Sequence, residues 1–321
     1  SEADIIQGGF SSIVEVLESY SSFRASTDST GAKRSTAIDF RGFGETAAQN
    51  IRVLVDEVPL NNPTLEAANL GLIPLASIRK IEIIPSGAGV LFGNGAVGGV
   101  IRITTKNDPQ ELRSIYSTTT GSWGLIDAST LHTLPLENSS LTGEITKQSS
   151  DGYRHFNDSN LSYGKLTYRV RSEYDFSISH ARSLDQRNAA GASLPSIISM
   201  DRRDSDIDDR SSIDYRQAIT TVAYGTAQRD LYSRVQLSHR QSDQIGTYAN
   251  PSYGAIAQNL DVVNLKAELS SKPSVTKNTW LTGVELGGGG YSSLYNSDRR
   301  SQSHAALYGQ RSLPLDETLD L

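Results

Sequence analysis

Residues 81–106, IEIIPSGAGVLFGNGAVGGVIRITTK, separate two kinds of sequence. Before them lies a compact segment of mixed pattern, and after them runs a long series of alternating, tyrosine-containing polar strands. Gly93, Gly95 and Gly98 fall in the spacing G-x-G-x-x-G, which marks a dinucleotide-binding turn only where a strand leads in and a helix leads out. Here the exit is Val100-Ile101-Arg102-Ile103-Thr104-Thr105. That β-branched run favours a strand over a helix N-terminus able to hold a pyrophosphate. The glycines therefore serve tight turns between short strands, at positions where φ can be positive.

At 321 residues the default expectation is two domains. Hydrophobic content of 37% and mean hydropathy of −0.37 are low for a water-soluble enzyme of this size, yet the pattern is too regular for disorder. No window approaches eighteen apolar residues, which excludes a transmembrane helix but not barrel strands, whose hydropathy signal is faint. Cysteine is absent, which removes disulfides, thiolate metal sites and cysteine nucleophiles. A net charge of −6 without a basic stripe argues against nucleic acid as a partner. The first residues, SEADIIQGGF, carry no secretory leader, so the expectation is a cytoplasmic chain or one whose leader has been removed.

In residues 12–20, Ile13, Val16, Leu17 and Tyr20 fall at helical spacing, with Ser11 or Ser12 as cap. Strands are expected in AIDFRGFG and in IRVLVDEVPLN, the latter with a turn at Asp56 and Glu57. Residues 63–73 are expected to be helical and 77–84 a strand.

Taken together, IDFRGFG (38–44), NIRVLVDEVPLN (50–61), IPLASIRKIEII (73–84) and the stretch ending GNGAVGGVIRITTK resemble the plug domain of TonB-dependent outer-membrane receptors. Four motifs in the right order are far more specific than one short pattern. The resemblance is close over residues 1–109 and general in character beyond them. It implies a mixed α/β plug domain, residues 1–109, followed by the N-terminal part of an antiparallel transmembrane β-barrel, residues 110–321, of the kind that closes with twenty-two strands. Two departures stand out: Pro85-Ser86-Gly87 replaces the family's Arg-Gly-Pro, and Asp56-Glu57 replaces its Asp-Gly. The first removes an arginine that ties plug to barrel glutamates; Arg41 remains, Arg102 could substitute, and Glu144 is the expected barrel partner.

Beyond Asp108-Pro109 the period becomes two. In DVVNLKAELSS, Val263, Leu265, Ala267 and Leu269 share one face, and Asn264, Lys266, Glu268 and Ser270 the other. SEYDFSISH, LYSRVQLSHR and SLTGEITKQ repeat the pattern, as expected of strands with an apolar outer and a polar inner face. A water-filled lumen is the expected environment of the inward charges. Tyr168, Tyr174 and Trp280 suit aromatic girdles. About ten strands are expected between Arg113 and Leu321, and an open barrel would leave unpaired edges in lipid, so the resemblance implies a fragment or partial product.

Among candidate sites, the acidic run 201–214 holds Asp204, Asp206, Asp208 and Asp209, an oxygen-rich set suited to a structural Ca²⁺. Interleaved Arg202, Arg203 and Arg210 make a solvated loop the plainer reading. No other cofactor is implied. Histidines 132, 155, 180, 239 and 304 lack metal spacing, and residues 1–109 contain none to serve as a haem ligand. No nucleophile motif is present, so binding rather than catalysis is expected. By resemblance, ligand contacts fall on Asn61, Asn62 and Thr64 and on Val90, Leu91 and Phe92; packing in the plug core is the alternative for Leu91 and Phe92.

The resemblance implies a monomeric receptor in a Gram-negative outer membrane. It would import a large scarce nutrient, a siderophore–iron chelate or a cobalamin-like compound, with TonB, membrane lipid and the ligand as partners. A non-transporting surface scaffold for adhesion or signalling is the alternative of a different class. A water-soluble enzyme is the third reading.

Overall fold

The computed structural model describes residues 1–19, 24–27, 36–39, 47–62, 67–85, 92, 95–106, 112–191, 193–206, 210–228, 230–271, 279–293 and 296–312. The chain opens with two short helices, α1 (Glu2–Gln7) and α2 (Ile13–Glu18), the second capped by Ser12, whose side chain accepts from the Glu15 amide. Strands β1 (Arg24–Thr27) and β2 (Thr36–Asp39) pair with each other. After α3 (Ala47–Asn50) come β3 (Ile51–Val55), β4 (Val58–Pro59), β5 (Ile78–Pro85) and β6 (Gly99–Thr105), in the sheet order β4-β3-β6-β5. β3 and β6 run parallel, and the β-branched run after the glycines is an inner strand, not a helix.

The alternation of these strands divides the plug core. Ile51, Val53, Ile101 and Ile103 face α1 and α2 with Ile5, Ile13, Val16 and Leu17, whereas Leu54 and Val100 face Ala96 on the other side. Helical structure over 63–73 is not found among the residues described there. Residues 70–72 form one 3-10 turn, capped by the Asn69 side chain. Gly71 lowers helix propensity and Pro74 bars the helix from continuing, so local capping prevails over the periodicity.

The second body is one antiparallel sheet of ten strands, each paired to the next. They are β7 (Arg113–Thr120), β8 (Ile126–Pro135), β9 (Ser139–Ser150), β10 (Ser159–Arg171), β11 (Tyr174–Ala189), β12 (Ser211–Gln228), β13 (Leu231–Tyr248), β14 (Ala255–Ser271), β15 (Thr279–Ser293) and β16 (Asn296–Ser312). A short helix, α4 (Pro195–Met200), lies between β11 and β12. Among the described residues the order runs from β7 to β16 without closing on itself. Residues 136–138 and 172–173 make short turns at one end, and residues 151–158 make a longer connection at the other.

The two faces of this sheet invert the usual arrangement. Leu134, Leu141, Tyr168, Ile178, Val222, Leu237, Leu265 and Leu286 fall in one continuous register row across β8–β15. Most of that row is exposed. The opposite face buries Thr142, Glu144, Gln217, Gln236, Arg240, Asn264 and Glu285. Exposed apolar rows beside buried polar ones are the signature of a wall with lipid outside and a polar filling. No helix among the described residues is long and apolar enough to cross a membrane.

Candidate functional site

Several of the inward charges are buried against the plug. Its β3–β4 hairpin turns at Asp56 and Glu57, both at positive φ (48° and 69°). A two-residue turn of this hand matches strand twist but favours glycine or asparagine, so Glu57 sits at an unfavourable backbone position. Its carboxylate shows what holds it there. It accepts from Arg102 Nε and lies 3.1 Å from Lys266 Nζ of β14. Asp56 Oδ2 accepts from Lys165 Nζ of β10 at 2.7 Å and from Thr105 Oγ1 at 2.7 Å, and the Thr105 amide donates to Oδ1 at 2.9 Å. Gln236 Nε2 of β13 donates to the Asp56 carbonyl at 3.1 Å.

Two further ties hold the plug to the wall. Arg52 Nη2 on β3 meets Glu285 Oε1 on β15 at 2.5 Å, with both side chains nearly buried. Arg240 on β13, 2% exposed, donates to Leu60 O (3.1 Å), Asn61 O (2.9 Å) and Asn62 Oδ1 (2.8 Å). Apolar contact between the bodies is slight by comparison: Leu72 with Leu161 and Tyr215, and Ile219 against the main plug core.

Burial by itself would raise the Asp56 and Glu57 carboxyls, but the Lys165 charge beside Asp56, and Lys266 and Arg102 beside Glu57, outweigh it and hold both below their ordinary values of 3.8 and 4.5. A released hairpin therefore binds protons more readily than a seated one. The stabilisation is present above the released-state values and is lost as pH falls through the seated-state values. The urea concentration that frees the plug is expected to stay level between about pH 8 and 5 and to fall below about pH 4, in the range where ordinary carboxylates titrate. Asp56→Asn is expected to flatten that fall; an unchanged acid limb in the variant would remove Asp56 from the account.

The residues singled out from sequence are distributed unevenly. Arg102 bridges Glu57 and Glu82, both on the plug, and shares the Glu57 carboxylate with Lys266 of the wall. Glu144 is buried on β9 opposite Lys165 in the register, with one carboxylate oxygen lacking a hydrogen-bond partner among the described residues, and makes no ion pair with Arg102. The Asn61 amide is occupied by the plug itself, accepting from Val53 N and donating to Ile51 O at 2.8 Å each. Phe92 packs against the smaller plug core. Asp204 is held by Arg210 at 3.0 Å, and the described residues contain no group of three potential metal ligands. Arg41, Thr64, Val90, Leu91, Asp208 and Asp209 lie outside the described residues, and the structure does not characterise Asp206 as a ligand.

Arg52, Lys165, Arg240 and Glu285 were not named as plug contacts from sequence. Lys165, Arg240 and Glu285 are charges on the inward phase of a wall strand, which is the signal available, but the plug partners lie 109 to 233 residues away.

A polar plug bound through ion pairs to a wall with an apolar outer face defines a plugged β-barrel of the outer-membrane type. Residues 1–100 match the family model described as TonB-dependent Receptor Plug Domain. Residues 1–100 are a plug domain of the TonB-dependent receptor family, and ten antiparallel strands of the barrel type follow them. Vitamin B12 transporter BtuB of Vibrio vulnificus (strain YJ016) is 31% identical over 105 residues, which is 33% of this chain and 16% of that protein. BtuB of Photobacterium profundum is 32% identical over 120 residues, 37% of this chain and 18% of that protein. The ferric citrate transporter FecA in its unliganded form superposes with a TM-score of 0.75 at 15% identity, covering 92% of this chain and 47% of that one. A mutant ferric enterobactin receptor (PfeA) from Pseudomonas aeruginosa gives 0.72 at 16% identity, covering 96% and 53%. The chain thus spans about half the length of these structures, and the structural likenesses concern the fold alone.

Proposed function

We propose that the protein carrying this chain is an active importer of the Gram-negative outer membrane, taking up a scarce large nutrient of the siderophore–iron or cobalamin-like class. The observation that carries this reading is the nature of the plug–wall interface. It is made of ion pairs and hydrogen bonds, with little apolar burial, so the plug can be displaced and reseated without exposing a hydrophobic core. Relatives named as transporters of vitamin B12 and ferric citrate, and as a ferric enterobactin receptor, support the ligand class. In this mechanism a ligand bound over Asn62, Thr64 and residues 90–92 shifts the population of plug states, and TonB supplies the force that opens a path.

The test is uptake by a Gram-negative host that lacks its own receptors and expresses the reading frame containing this chain. Radiolabelled cobalamin and ferric siderophores are expected to accumulate only when TonB is present. Accumulation that persists without TonB, or ligand adhesion without accumulation, overturns the proposal.

A further inference from the structure

Between the plug and the wall, at the short-turn end, lies a cavity of roughly 190 Å³ that none of the interface contacts fills. That volume exceeds the share of several water molecules and accommodates a small hydrated ion. Its charged lining comes from both bodies: Asp56, Glu57, Arg79 and Arg102 from the plug, and Arg169, Asp175 and Arg234 from the wall. Cations outnumber anions, and each carboxylate already has a cation. Asp56 is taken by Lys165, Glu57 by Arg102 and Lys266, and Asp175 by a two-pronged contact with Arg169.

Arg234 is the residue left over. Among the described residues its one hydrogen bond is from Nη2 to the neutral Gln236 Oε1 at 2.9 Å, and its buried Nε has no partner. Among the same residues no carboxylate forms an ion pair with it; the nearby Asp175 and Glu268 pair with Arg169 and Lys266. A guanidinium presents five N–H donors in a planar fork suited to oxyanions, and a half-buried one without an anion is electrostatically incomplete. Arg79 and Arg102 line it from the plug and Arg169 and Arg234 from the wall, so a single anion between them attracts both bodies at once.

We propose that this cavity is an oxyanion site, centred on Arg234, whose occupant pins the plug to the wall. Its ligand is a carboxylate or a phosphate small enough to enter from the short-turn end. This assignment does not depend on what the barrel imports.

The experiment uses the full-length protein carrying this chain, in detergent, titrated calorimetrically at constant ionic strength with inorganic phosphate and, in a separate arm, with acetate. Saturable one-site binding is expected in at least one arm, and the tighter arm identifies the source. Arg234→Gln should weaken it about tenfold or more, and Arg234→Lys less, because lysine keeps the charge but not the fork. Bound anion should also raise the urea concentration that frees the plug, an effect absent in Arg234→Gln. Matching urea midpoints for wild type and Arg234→Gln in anion-free buffer establish that the variant is folded. Absence of saturable binding in both arms, or equal binding by wild type and Arg234→Gln, overturns the proposal.

Discussion

Glu285→Ala is expected to loosen the plug by about 3–5 kcal/mol, because it takes the carboxylate from Arg52 at a contact where both side chains are nearly buried. At 1.4 kcal/mol per decade, amide exchange in Ile51–Val55 and in the neighbouring β6 should accelerate more than a hundredfold. The same cost is not expected when both partners go. Arg52→Met combined with Glu285→Leu removes both charges and should recover most of the protection, since apolar pairs replace buried ion pairs at little or no loss. His304, whose Nε2 lies 3.4 Å from the same Glu285 oxygen, should then lose its contact without further effect on the plug. If Glu285→Ala leaves β3 exchange within a few-fold of wild type, the pair is not a tie between plug and wall.

Arg240→Ala is expected to have a comparable effect on a different segment. The guanidinium satisfies the carbonyls of Leu60 and Asn61 and the side chain of Asn62, and it is fully enclosed. Truncation leaves those acceptors without a donor and opens a void, at about 1–3 kcal/mol for each stranded polar group. Residues 60–62 should become the first part of the plug open to exchange and to proteolysis. Arg240→Lys keeps the charge but cannot reach the acceptors from a fork, and should fall between wild type and alanine. Wild-type protection of Leu60–Asn62 in both variants would show that the segment is held by β3 and β4 alone.

Much of this architecture was legible in the sequence because it rests on local rules. The β-branched run after Gly99 excluded a nucleotide-binding helix, and it forms the inner strand β6. Gly95 takes a positive φ of 84°, as a turn glycine should. The two-residue alternation separated Val263 and Leu265, exposed, from Asn264, buried. The Asp56-Glu57 turn was legible too, but its consequence was not. Glutamate stands where the family has glycine, and it supplies a carboxylate to Lys266 of the wall. Of the helix expected over 63–73, the described residues 67–73 hold a 3-10 turn at 70–72, where Gly71 lowers helix propensity.

The sequence by itself determined which residues form strands and which face of each strand is apolar, because propensity and period act over a few neighbouring residues; that a plug precedes a barrel wall came from the resemblance of four motifs. The tertiary structure alone decided which inward charge meets which plug residue. Lys165 finds Asp56, Lys266 finds Glu57, Glu285 finds Arg52 and Arg240 finds the 60–62 backbone only after the wall curves around the plug. Those pairings depend on strand register and on the depth at which one body sits in the other. They are geometric quantities with no counterpart in local spacing, so Arg102 and Glu144, equally plausible in the linear chain, are brought to other neighbours.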